Sequence, residues 1–163
     1  METINKIETK IQLHPSNISS DYEKILLDKI VEKFEKKSFE QNGIISKVLK
    51  ILECKSLPIT ENSIYLQFLI TFEAETYKPL VDNEMEISIH KIYSYGIFYF
   101  DEQIRILIPS SSFQDEYYLE KKEDVFILKN KKNETIQEGD TIKIILTNVR
   151  FEKNGFNCLG KIK

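Results

Sequence analysis

Tryptophan is absent from this 163-residue chain, and cysteine, histidine, methionine and arginine each occur only twice. Cys54 and Cys158 stand far apart with no CxxC pair and no clustered histidine, which argues against a zinc site and against a secreted disulfide framework. Each thiol is expected to act as a small hydrophobe. No apolar run approaches the roughly 18 residues that a membrane helix requires. Met1-Glu2-Thr3 leads into charged, alternating residues and not into a signal peptide, so an intracellular location is expected. Glycine-rich phosphate loops, a nucleophile elbow and an HExxH pair are also missing, and paired carboxylates such as Asp101-Glu102 and Asp115-Glu116 lack a convergent base. Catalysis, a metal and a cofactor are therefore not expected.

Charge of one sign is lacking too. Residues 1–80 carry 11 Lys against 12 acids, and residues 81–163 carry 12 basic residues against 14 acids, for a net charge of −3. This balance gives no support to strong nonspecific nucleic-acid binding. Only residues 121–163 lean basic, with 10 basic residues against 6 acids, Lys129, Lys131 and Lys132 among them.

What the chain does have is alternation. Ile7, Ile11 and Leu13 mark a strand over 6–13, which His14-Pro15 ends. Ser20 and Glu23 have capping-box spacing, and Tyr22, Ile25, Leu26, Ile30 and Phe34 form the stripe of a helix reaching about Lys37. The Gln41-Asn42-Gly43 turn precedes a strand over 44–52, and the most regular alternation runs from Ile64 to Ala74. This half reads β-α-β-β, with the helix covering one sheet face.

After Pro79 come strand-like runs at the short spacing of a barrel: 84–92, 95–100, 103–108, 124–129, 141–149 and 156–162. The expected interior consists of Met85, Ile87, Ile89, Ile104, Ile106 and Ile108, with Val125, Ile127, Ile142, Ile144 and Leu146. Residues 109–123 read as an irregular acidic connector. The fold class is thus α+β in two domains, 1–79 and 80–163, joined at Tyr77-Lys78-Pro79-Leu80.

An exposed sheet face that binds single-stranded RNA needs flat rings for bases and cations for phosphates. Tyr95 and Phe98, flanking Gly96, are the candidate stacking residues, with Lys91 and Arg105 as candidate cations. Standing three apart, Tyr95 and Phe98 would face opposite ways on a regular strand, and a bulge at Gly96 would bring both outward. Tyr93, Tyr99 and Phe100 read as packing residues, and His14 as a hydrogen-bonding residue of its turn.

The order of pieces resembles the larger stalk subunit of multisubunit DNA-dependent RNA polymerases, the seventh subunit of the eukaryotic enzymes and its archaeal counterpart. The pieces carrying the likeness are Leu13-His14-Pro15, the helix, the Gly43 turn, the long strand into Phe72, the Tyr77-Lys78-Pro79-Leu80 joint and Tyr95-Gly96-Ile97-Phe98. Asp124-Val125-Phe126-Ile127, Gly139-Asp140-Thr141-Ile142-Lys143 and the segment from Val149-Arg150 to Leu159-Gly160 complete it. The resemblance implies a non-catalytic subunit whose N-terminal domain docks on the polymerase core through a tip containing Gln41, Asn42 and Gly43. It implies a C-terminal OB barrel of the ribosomal-protein-S-one type facing nascent RNA, and a smaller helical partner subunit. The location implied is the nucleus for a cellular protein, or the cytoplasm or virion for a large DNA virus. Two departures stand out: Asp82-Asn83 replaces the usual Gly-Glu at the barrel's start, and Pro109 stands where a histidine is common. The alternative is a free-standing single-stranded RNA-binding or translation-associated barrel protein.

Overall fold

In the computed structural model, residues 2–18 and 21–163 are described. The chain is mostly β-sheet and divides into two compact units, Met1–Lys78 and Pro79–Lys163.

The first unit contains β1 (Thr3–Leu13), α1 (Tyr22–Phe34), β2 (Lys37–Phe39), β3 (Gly43–Ser56) and β4 (Leu66–Tyr77), with an antiparallel sheet in the order β1-β4-β3-β2. Strict alternation in β4 buries Phe68, Ile70, Phe72, Ala74 and Thr76 on one side. Leu26, Ile30 and Phe34, four apart, form the helix stripe that covers this side. Burying each such side chain contributes about 1.5–3 kcal/mol. The Phe34 ring meets Phe72 and Phe39 with centroids 5.1 and 5.2 Å apart. The expected capping box depends on Ser20, which lies outside the described residues. The helix stops at Phe34, short of Lys37: Lys36 takes φ +59°, donates its N–H to the Ile45 carbonyl, and Lys37 begins β2.

The second unit has β5 (Glu84–Ser88), β6 (Lys91–Tyr93), β7 (Gly96–Phe100), β8 (Ile104–Pro109), β9 (Tyr117–Lys122), β10 (Val125–Asn130), β11 (Thr135–Ile136), β12 (Thr141–Glu152) and β13 (Gly155–Ile162). Six of these strands pair in the order β5-β12-β13-β8-β7-β6, antiparallel except for the parallel β8–β13 pair. The edge strands β5 and β6 are separated only by Ile89-His90, so one chain segment supplies both edges of a curled half-barrel sheet. Its concave interior is filled by Ile87, Ile97, Ile106, Ile108, Ile144 and Leu146, all buried.

The bend entering this unit is made without glycine. Asp82 takes φ +71°, and the Asn83 side-chain oxygen accepts from Leu80 N–H at 3.0 Å. Asp and Asn tolerate this backbone better than other non-glycine residues.

Expectations about strand layout and core fail at three places in this half. Val125 is 53% exposed, not interior, because β10 starts there at a sheet end; Ile127 is buried as expected, and Leu128 is buried beside it. Residues 109–123 are not wholly irregular: β9 pairs with β10, which also pairs with β11, in a separate three-stranded sheet, and Phe113 is buried. The run over 84–92 is two strands, not one.

Candidate nucleic-acid interface

Side chains on the outer face of the curled sheet form transverse rows, because paired residues on adjacent strands point the same way. One row runs Lys91, Phe98, Leu107, Leu159, Asn148 across β6, β7, β8, β13 and β12. The next runs Phe100, Arg105, Asn157, Arg150 across β7, β8, β13 and β12. Both arginines of the chain therefore lie in one row, with Phe98 and Phe100 on the flank.

Tyr95 and Phe98 reach the surface by different means. Phe98 is half-buried within its row, whereas Tyr95 is 57% exposed in the two-residue turn Ser94-Tyr95 between paired Tyr93 and Gly96. No register shift occurs there, so a tight hairpin turn replaces the expected bulge. Gly96 is required: its φ is +152°, and a Cβ would overlap the Ile108 carbonyl oxygen. The Tyr95 ring stacks on Tyr93, with centroids 5.2 Å apart and planes 9° apart. Tyr93 has the strand parity of Lys91, which places the pair on the outer face.

Aromatic residues assigned to packing by the sequence are partly wrong. Tyr93 and Phe100 are exposed, at 39% and 47%. Tyr99 does pack: it is half-buried, and its hydroxyl donates to Asp101 Oδ2 at 3.2 Å. Burial and, next, the Asp101 charge push its pKa up. His90 lies against Tyr99 and Phe100, both centroids at 4.9 Å, and its Nδ1 accepts from Phe100 N–H. The result is an aromatic ledge of Tyr93, Tyr95, Phe98, Phe100 and His90.

The cations differ in freedom. Lys91 faces Glu138 at 3.9 Å, which partly neutralises it. Arg105 is exposed with no ion-pair partner among the described residues. Arg150, not singled out by the sequence, pairs with Glu152 at 3.7 Å. Lys129 lies on the separate sheet, bonded to Glu120 at 2.6 Å, and that hydrogen bond raises its pKa.

Between the rows, over β8, β13 and β12, lies a concavity of about 470 Å³. Its floor is apolar, from Phe98, Leu107 and Leu159, and its rim carries Arg105, Arg150, Asn148 and Asn157. The nearby Cys158 thiol is buried, and burial pushes its pKa up to about 11, which leaves it unreactive near neutrality.

In the first unit, Gln41 is exposed and Asn42 half-buried in the turn between β2 and β3. Lys78 Nζ donates to the Gln41 carbonyl at 3.2 Å. Gly43 is buried at φ +84°, where a Cβ would come 2.6 Å from the Tyr77 carbonyl oxygen, so it shapes the turn without reaching its surface. His14 Nδ1 accepts from Ser16 N–H, as a turn residue.

Among the described residues no group of His, Cys, Asp and Glu is arranged to hold a metal, and no helix is long and apolar enough to cross a membrane. No family model matches the sequence, and no curated protein matches it either.

Proposed function

We propose that this chain is a non-catalytic stalk subunit of a DNA-dependent RNA polymerase that contacts single-stranded nascent RNA through its C-terminal unit. On this reading the second unit is an OB barrel of the ribosomal-protein-S-one type, and the first docks on the polymerase core through the Gln41-Asn42-Gly43 turn. Core subunits and a smaller helical subunit are its partners. The observation that carries the RNA contact is the aromatic ledge beside Arg105 on the outer sheet face. Rings there accept bases of any sequence, and the guanidinium takes a phosphate. The strand order supports the barrel, since one chain segment supplies both edges of the curled sheet.

The free-standing RNA-binding reading is favoured by one fact: the ledge and both arginines lie entirely within Pro79–Lys163. Two measurements separate the readings. A tagged chain purified at gentle salt from its native cells is expected to bring down the large polymerase subunits. RNA binding without them leaves the free-standing protein. Tyr95→Ala with Phe98→Ala is expected to weaken single-strand binding by about tenfold or more, since stacking contributes about 1–3 kcal/mol per base. Unchanged affinity in a folded double variant removes the ledge as the RNA platform.

A further inference from the structure

The geometry points to a base-reading seat in the concavity between Arg105 and Arg150, which holds one unstacked nucleotide and recognises its base edge through Asn148 and Asn157. The seat rests on the reading of this face as an RNA surface, and adds selectivity that a stacking ledge alone does not give.

Its construction begins with a β-bulge. Ile142, Ile144 and Leu146 alternate inward along β12, and unbroken alternation would send Asn148, Arg150 and Glu152 inward as well. The register shifts between Leu146 and Asn148, with Thr147 as the extra residue. Beyond it the parity is reversed, and all three polar side chains emerge on the outer face. Bulges commonly re-aim side chains in this way at functional sites.

Glu152 then organises the far rim. Its Oε1 lies 3.7 Å from Arg150 Nη1, and its Oε2 accepts from Asn157 Nδ2 at 3.3 Å. One carboxylate thus restrains both a cation and an amide, and the Asn157 carbonyl oxygen is left to accept from a ligand. Asn148 has no hydrogen-bond partner among the described residues, so both ends of its amide are available. An apolar floor bounded by amides and arginines suits a base: faces pack on Phe98 and Leu159, edges meet amides, and the phosphate meets a guanidinium. A site serving only phosphates would not need that floor or those amides.

The test uses the full chain and single-stranded RNA homopolymers of A, C and U, each about twelve nucleotides long, titrated by fluorescence anisotropy at one salt concentration. The strongest and weakest are expected to differ by about tenfold or more, the discrimination a paired amide contact gives. Asn148→Ala with Asn157→Ala should bring the three within about twofold of one another while the fold persists. Arg150→Gln should weaken all three alike and flatten the salt dependence by about one phosphate. Equal binding of the three by the unaltered chain overturns the seat and leaves the RNA face standing. A preference that survives the double asparagine change overturns the assignment to these amides. No RNA binding at all overturns the face and the seat together.

Discussion

Gly96 shows how one residue can hold the proposed binding surface in place. It follows the two-residue turn that presents Tyr95, and its Cα lies so close to the Ile108 carbonyl that no side chain fits. Gly96→Ala must push β7 away from β8 or break the turn, and the expected cost is ~3 kcal/mol. Urea unfolding checks this, with a lowered midpoint and an unchanged slope. Tyr95→Ala, one position earlier, removes only an exposed ring and is expected to leave stability within about 0.5 kcal/mol while weakening RNA binding. Two adjacent substitutions thus separate folding from recognition. Equal stability losses at both positions would mean that Tyr95 is a packing residue.

At the scale of the element, β12 explains most of what the sequence did and did not disclose. Regular alternation made β4 and the helix stripe legible, because in both the burial repeat matches the residue spacing. It also identified Arg105, which alternates with buried Ile104 and Ile106. The same logic hid Arg150, since parity counted from Ile142 places it inside, and only Thr147 reverses that count. Strand β9 was missed for another reason: four of its six residues are exposed and two half-buried, so no buried face imposes a pattern. Deleting Thr147 should erase the bulge and turn Arg150 toward the interior. An unpaired guanidinium there is intolerable, so that variant is expected to lose the cooperative unfolding transition of the second unit. Thr147→Ala keeps the residue count and is expected to fall within about 0.5 kcal/mol of the parent. A stable deletion variant, still binding RNA, would show that the bulge does not set the direction of Arg150.

For the whole molecule, charge decides how the proposed face would hold RNA. The chain is net negative at −3, so a long-range field does not draw in a polyanion, and contact depends on a few placed cations. Arg105 and Arg150 lie on the outer face, with Arg150 shared with Glu152 and Lys91 with Glu138. With about two or three phosphates neutralised, log K against log salt should have a slope of roughly −2 for a single strand. Affinity should then fall only about 15-fold between 50 and 200 mM salt. On the proposed reading this weak dependence suits an accessory surface, because a moving transcript could slide while rings and amides supplied the residual grip. A much steeper slope, near −5, would implicate Lys121, Lys122, Lys131 and Lys132 on the separate three-stranded sheet and its turns, and RNA would have to leave the curled sheet to reach them. Measuring the slope for the unaltered chain and for Arg105→Gln with Arg150→Gln distinguishes the paths. A shift toward zero by about 1.4 in the double variant places the phosphates on the outer face, and an unchanged slope places them elsewhere.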